Sequence, residues 1–103
     1  MPGISYPDQH DRELIKAFST LKNEKEIQHF LRDLMTIGEI KEFAKRFQIA
    51  KQLWMTDKPY LQIASEVKTS TTTVTRVADW LFKQGLNGYQ TVLKQLFPQG
   101  KSN

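Results

Sequence analysis

Apolar residues recur at intervals of three and four along almost the whole chain, and this rhythm is the strongest constraint on its fold. It continues through Val74, Val77 and Leu81, although the run 71–75, Thr-Thr-Thr-Val-Thr, favours a strand when taken alone. Because helical spacing outweighs the weak strand preference of single residues, we predict helix there as well. The sequence therefore indicates an all-α protein with six helices and no strand.

Capping residues predict where these helices begin and end. Thr36 followed by Glu39 can close a first helical turn reciprocally, and it precedes the longest predicted helix, residues 37–55. We predict the same arrangement for Asn23 with Glu26 and for Asn87 with Gln90, and a simple cap at Ser70. The other predicted helices cover about 9–22, 24–35, 59–66, 71–83 and 88–97.

The length of 103 residues fits a single compact domain. We predict a flexible arm over 1–7, one helical domain over 8–98 and a flexible tail over 99–103. No apolar stretch approaches the ~20 residues that span a bilayer, and the first residues lack a signal-peptide pattern. The expectation is a cytoplasmic protein that does not bind a membrane.

Residue types needed for catalysis or metal binding are scarce. The chain has no cysteine, which excludes disulfides, thiolate zinc sites and cysteine nucleophiles. His10 and His29 have no second ligand at a recognised metal-binding spacing, so both are interpreted as structural or solvated. Neither a nucleophile with its base nor a pair of catalytic carboxylates is recognisable. We therefore predict that the protein is not an enzyme and binds no metal.

The segment 60–79 has the pattern of a helix-turn-helix. Two short helices that cross steeply need small or apolar residues at fixed places on both. These are Ile63, Ala64 and Val67 on the first helix, and Val74 and Val77 on the second. The turn between them usually prefers glycine because the backbone there is left-handed, and this chain has Lys68 instead.

The start of the second helix is rich in short hydroxyl side chains, which can enter a major groove and bond to phosphates or base edges. A net charge of +4 also favours a polyanionic partner. We predict that the protein binds double-stranded DNA. The predicted DNA-binding residues are Lys68, Ser70, Thr71, Thr72, Thr75 and Arg76.

Two alternatives stay open from the residues alone. Ser70 can be a simple cap and the threonines an ordinary polar face. The reading helix also carries few bases, Arg76 and Lys83, which Asp79 opposes. A helical protein-interaction or assembly module that has lost DNA binding is therefore the alternative function.

Over about 31–96 the chain resembles the Trp repressor family, and more closely its uncharacterised Trp-repressor-like members. The most specific segments are 34–36 with Glu39, Arg46 with Ile49 and Leu53, and 73–76. The resemblance implies an intertwined homodimer whose helix-turn-helix units project as two reading heads. It also implies a sequence-specific transcriptional regulator, by analogy a repressor, that acts on a palindromic operator.

The resemblance further implies a small-molecule corepressor pocket beneath the reading helix. The family positions that hold free tryptophan correspond here to Thr36, Arg46, Thr73 and Arg76. Two neighbouring positions differ: Val77 replaces a glycine and Trp80 replaces a serine. Because their bulk fills space in a packed site, we expect them to occlude the pocket and expect no L-tryptophan binding. Val77 and Trp80 are interpreted as core residues, or alternatively Trp80 substitutes for the corepressor ring. No cofactor is predicted, and a different small-molecule corepressor stays an open alternative.

Overall fold

The computed structural model describes residues 5–101, which form six α-helices and no strand. The helices are α1 (Gln9–Ser19), α2 (Glu24–Leu34), α3 (Ile37–Met55), α4 (Tyr60–Val67), α5 (Thr71–Phe82) and α6 (Gly88–Leu96). The all-α prediction is thus confirmed, including a helix through the threonine-rich run. None of the described helices combines the length and apolar character needed to cross a membrane. The predicted arm up to residue 4, and residues 102 and 103 of the predicted tail, lie outside the described residues.

The predicted reciprocal cap at the start of α3 is confirmed. The Thr36 amide donates to Glu39 Oε1 at 3.0 Å, and the Glu39 amide donates to Thr36 Oγ1 at 3.1 Å. At the start of α2, Asn23 Oδ1 accepts from the Glu26 amide at 3.0 Å, as predicted. The Glu26 carboxylate, however, accepts from the Lys22 amide at 2.9 Å and not from the Asn23 amide. The cap of α2 therefore includes one residue more than the sequence pattern indicated.

The predicted reciprocal cap at Asn87 and Gln90 is wrong. Asn87 has a left-handed backbone, with φ 66°, and its side chain makes no capping hydrogen bond. Gln90 is only 7% exposed, and its Nε2 donates to the Leu81 carbonyl of α5 at 2.8 Å. A buried amide needs a partner, and the end of α5 supplies it. Gln90 thus ties α6 to α5 and does not close its own helix.

Two helix ends also differ from the prediction. α1 ends at Ser19, before the predicted stop near Lys22. The Ser19 and Thr20 hydroxyls there donate to the carbonyls of Lys16 and Ala17 at 2.6 and 2.7 Å, and such local bonds compete with helix continuation. α5 ends at Phe82, one residue before the predicted end at 83, and a Cβ on the following Gly85 would collide with the Trp80 carbonyl oxygen. Glycine is required at that position because the backbone approaches so closely.

The chain divides into two compact units, residues up to Ile40 and residues from Lys41 onward. All buried residues of the described chain belong to the second unit. Its core contains Ile49, Ala50, Leu53, Trp54, Ile63, Ala64, Val74, Val77, Ala78, Leu81 and Leu93. These side chains come from α3, α4, α5 and α6, so the second unit has a hydrophobic core of its own.

The first unit has apolar side chains but no buried residue. Phe18 and Phe30 pack edge to face, with ring centroids 5.1 Å apart, and join α1 to α2. Its large exposed apolar side chains are Leu14, Ile15, Ile27, Leu34 and Ile37, each 39–50% exposed. An apolar groove of about 470 Å³ lies between α2 and the first turn of α3. The unit thus leaves apolar surface open that a folded chain normally covers.

Residues 99–101 were predicted to belong to a flexible tail, and two of them contact the end of α3. Lys101 Nζ donates to the carbonyls of Leu53 and Thr56, each at 2.6 Å, and its amide donates to the Trp54 carbonyl at 2.9 Å. A Cβ on Gly100 would collide with the Trp54 indole. The Lys101 ammonium therefore satisfies carbonyls at the negative end of the longest helix.

Candidate nucleic-acid interface

α4 and α5 form the predicted helix-turn-helix. Ile63 and Val74 are fully buried where the two helices meet, and Ala64 and Val77 are each 4% exposed. Val67 is partly buried against the same core. The apolar positions identified in the sequence therefore make the contact between the helices, and this leaves the opposite side of α5 free.

The turn between the helices is left-handed at Lys68, with φ 65° and ψ 57°. The Thr69 amide donates to the Ala64 carbonyl at 2.9 Å and closes the turn. Lys45 Nζ of α3 donates to the Lys68 carbonyl at 3.4 Å, so a cation lies beside the C-terminal end of α4. Lys68 therefore adopts the left-handed conformation in which helix-turn-helix proteins usually have glycine, because a Cβ is disfavoured there.

The hydroxyl groups at the start of α5 fall into two classes. Ser70 Oγ accepts from the Thr73 amide at 3.1 Å, which confirms the predicted cap, and lies 3.1 Å from Thr73 Oγ1. Thr75 Oγ1 donates to the Thr71 carbonyl at 3.0 Å. Within residues 5–101 the hydroxyls of Thr71 and Thr72 make no hydrogen bond. These two hydroxyls therefore keep both their donor and their acceptor capacity for a ligand.

All predicted DNA-binding residues lie in the turn or in the first half of α5, and all are exposed. They are Lys68, Ser70, Thr71, Thr72, Thr75 and Arg76. Helix N-termini also carry free amides and a partial positive charge, which favour phosphate. This end of α5 can accordingly hydrogen-bond to base edges and to a phosphate backbone at once.

A cavity of about 230 Å³ is lined by residues of α3, α5 and α6, and these include part of the predicted effector pocket. Arg46, Thr73 and Arg76 line it, as do Val77 and Trp80. Thr36 belongs to the other unit, where it caps α3. Three of the four family positions for the corepressor are thus gathered around one cavity of the second unit.

The two residues expected to occlude that cavity differ in their surroundings. Val77 is part of the core, as one interpretation held. Trp80 is 51% exposed in the single chain and is not a core residue of this unit. Both border the cavity, so their bulk narrows it from one side.

Glu42 and Tyr89 also line the cavity, and neither was among the predicted site residues. Glu42 lies one helical turn before Arg46, a spacing that could have drawn attention to it. Tyr89 comes from α6 and has no local signal. Burial raises the pKa of the Tyr89 hydroxyl, and the positive charge of Arg46 opposes this rise. Tyr89 therefore remains a neutral hydrogen-bonding group at neutral pH.

The part of the chain that the structure describes holds no cluster of three metal-binding side chains. A sequence model described as "Trp repressor protein" matches residues 9–97 of the chain. The chain belongs to the Trp repressor family. Membership indicates a DNA-binding regulator, and it extends the resemblance over α1 and the whole of α2.

Relatives of this Trp repressor family member include uncharacterised protein YerC of Bacillus subtilis (strain 168). The two are 32% identical over 84 residues, which cover 82% of this chain and 79% of YerC.

Two solved structures are also similar. One is a TrpR-like protein from Eubacterium eligens, with 35% identity and a TM-score of 0.76, covering 87% of this chain and 91% of the other. The second is a candidate Trp repressor from Staphylococcus aureus, with 31% identity and a TM-score of 0.78, covering 93% and 92%. The likeness thus includes both sequence and fold.

Proposed function

We propose that this protein is a homodimeric, sequence-specific DNA-binding transcriptional regulator that reads DNA with the start of α5. The observation that carries the proposal is the helix-turn-helix with its reading end uncovered. The contact between α4 and α5 is fully apolar and buried, while Thr71, Thr72 and Arg76 are exposed. The residues that hold α4 and α5 together are thus different from the residues that would contact DNA.

We assign direct base reading to the short side chains of this end. Thr71 and Thr72 have hydroxyls available to base edges or phosphates, and the threonine methyl groups fit against thymine methyls. Thr75 donates its hydroxyl proton within the helix, so it retains only acceptor capacity and its methyl group. Lys68 and Arg76 are assigned to phosphates.

Selection of bound duplexes from a random library, followed by affinity measurements on variants, tests this assignment. Thr72→Ala should relax the base preference at one position of the selected site and lose ~1–3 kcal/mol there. The control is Thr91→Ala, which removes an exposed threonine from α6. It also matches Thr75→Ala, because Thr91 Oγ1 donates to the Asn87 carbonyl at 2.9 Å as Thr75 Oγ1 donates to the Thr71 carbonyl. Thr91→Ala should leave the preference unchanged.

If the wild-type protein enriches no sequence, even at low salt, sequence-specific binding is refuted. The helical interaction module would then be the better description. If duplexes are enriched but Thr72→Ala and Thr75→Ala leave affinity and base preference unchanged, the reading end has been assigned wrongly.

The homodimer is inferred from the first unit. α1 and α2 carry apolar side chains, yet neither helix has a buried residue. A second copy would cover these faces, and two-fold symmetry would place two reading helices about one DNA turn apart. We therefore expect a palindromic operator, and repression by analogy with the family. Sedimentation equilibrium gives the mass of the particle and tests the dimer directly.

We further propose that DNA binding does not require L-tryptophan. The cavity of about 230 Å³ is smaller than the ~300–1,000 Å³ usual for ligand pockets, and Val77 and Trp80 both border it. Calorimetric titration with L-tryptophan should show no binding in the micromolar range. Micromolar binding would refute the occlusion, whereas binding of another small ligand would leave room for a different corepressor.

A further inference from the structure

A polar stripe along α3 faces a groove beside the turn of the helix-turn-helix. Lys41, Lys45, Gln48 and Gln52 recur at intervals of four, three and four, which places them on one side of the helix. Together with Ala44, Glu66 and Val67 they line a groove of about 470 Å³. The groove therefore lies between this polar stripe, which contains two lysines, and the C-terminal end of α4.

One hydrogen bond locates this groove relative to the reading end. Lys45 Nζ donates to the carbonyl of Lys68, the left-handed residue of the turn, at 3.4 Å. Ser70 and the first turn of α5 follow Lys68 after a single residue. When the start of α5 enters a groove of DNA, the turn that precedes it lies beside that groove. The polar stripe is thus on the side of the helix-turn-helix that would face a DNA strand.

The charges in this groove are not balanced by its acid. Glu66 Oε1 accepts from Lys58 at 2.8 Å, and Glu66 Oε2 accepts from Gln62 at 2.8 Å. These hydrogen bonds, that to Lys58 first, lower the pKa of the Glu66 carboxyl and hold it ionised against Lys58. No ion pair forms at Lys41 or Lys45 within residues 5–101. Two ammonium groups therefore face the groove without an acidic partner.

The same stripe contains an unsatisfied polar atom. Gln52 Oε1 is buried and has no hydrogen-bond partner in the described part of the chain. Buried amides are normally satisfied by protein or ordered water. The lining of this groove is more polar than that of the apolar groove in the first unit.

We propose that Lys41 and Lys45 bind phosphates of the DNA strand that passes the turn, as a second contact surface beside the reading end of α5. The two lysines are four residues apart, so their Cα atoms are separated by about 6 Å along the helix axis. Lys45 uses one of its three donors on Lys68 and has two left. This inference rests on the proposed function, and it adds contacts that carry affinity but no base preference.

Salt dependence of duplex binding tests the inference. Lys41→Ala should reduce the slope of log K against log salt by about 0.9, the value for one lost phosphate contact. Affinity should fall severalfold for a selected duplex and a random-sequence duplex alike, with the base preference unchanged. Lys94→Ala on α6 removes the same charge from an exposed site away from this groove, and it should leave the slope unchanged.

Lys45 also donates a hydrogen bond to the turn, so its variant must remove the charge and keep that hydrogen bond. Lys45→Gln keeps a donor for the Lys68 carbonyl, so its thermal unfolding should match that of the wild type while its salt slope falls as in Lys41→Ala. Unchanged slopes in both lysine variants, in a protein that still binds duplex DNA, would overturn this inference and leave the proposed function intact. A wild-type protein that binds no duplex at low salt would overturn both.

Discussion

The two units of the chain differ in where their apolar side chains lie. From Lys41 onward, four helices bury eleven apolar side chains in one cluster. Up to Ile40, α1 and α2 bury none, and large apolar side chains such as Ile15 and Ile37 are about half exposed. The second unit therefore has a packed core of its own, whereas the first leaves its apolar side chains uncovered.

This difference matches a division of labour. A reading head should keep its shape whether or not DNA is bound, and a self-contained core provides that. An assembly region should stay incomplete until a second copy supplies the missing contacts. We expect the core residues to control the stability of the head and the exposed apolar residues of the first unit to control association.

The largest expected effect is on the core of the second unit. Trp54 is 1% exposed and its Nε1 donates to the Phe97 carbonyl at 2.9 Å. Trp54→Ala should lower the free energy of unfolding by about 3–5 kcal/mol, because it leaves a cavity and an unsatisfied carbonyl. Urea denaturation followed by circular dichroism measures the loss.

The other tryptophan of the chain serves as the control. Trp80 is 51% exposed, so Trp80→Ala should cost no more than about 1 kcal/mol. Equal losses of unfolding free energy in the two variants would mean that Trp80 is covered in the assembled protein. The second unit would then also have apolar surface that is covered only on assembly, which contradicts the contrast between the units.

The second expected effect is on association through the first unit. Ile27 lines the apolar groove and is 39% exposed. Ile27→Asp would place a charge in an apolar interface and should raise the dimer dissociation constant at least about tenfold, or 1.4 kcal/mol. Analytical ultracentrifugation over a concentration series gives this constant.

Leu86→Asp is the matched control in the second unit. Leu86 is 85% exposed between α5 and α6, and its replacement should leave the dissociation constant unchanged. A monomeric wild type would end the proposal that a second copy covers the first unit. Equal weakening by both variants would mean that the interface also includes the second unit.

The smallest expected effect concerns the one left-handed residue of the helix-turn-helix. Lys68→Gly should raise the free energy of unfolding by about 1 kcal/mol, because a Cβ is disfavoured at φ 65°. Lys68→Ala keeps the Cβ and should leave stability nearly unchanged. Thermal denaturation distinguishes the two, and equal stabilisation by both would assign the effect to the removed charge.

Local features of this chain could be predicted from its sequence. Thr36 with Glu39 and the cap at Ser70 are short-range patterns whose hydrogen bonds form within one turn. The apolar positions 63, 64, 67, 74 and 77 specify how two neighbouring helices meet, so the helix-turn-helix was recognisable as well.

Features that depend on distant packing could not be predicted. Gln90 fits a capping pattern, yet its burial against α5 directs its amide to the Leu81 carbonyl. Tyr89 reaches the cavity only because α6 packs on α5, and Lys101 bonds to Leu53, 48 positions earlier in the chain. In each case the partner lies on another helix, where periodicity and spacing give no information.

The arrangement of hydroxyls on α5 has a consequence for how such a protein can acquire new targets. Replacing Ser70 would remove a helix cap, whereas the hydroxyls of Thr71 and Thr72 make no hydrogen bond within residues 5–101. Those two positions can be randomised in a library with little penalty to folding. Under the proposed function, they are the natural starting points for re-targeting the protein to another operator, by mutation in the laboratory or by divergence after gene duplication.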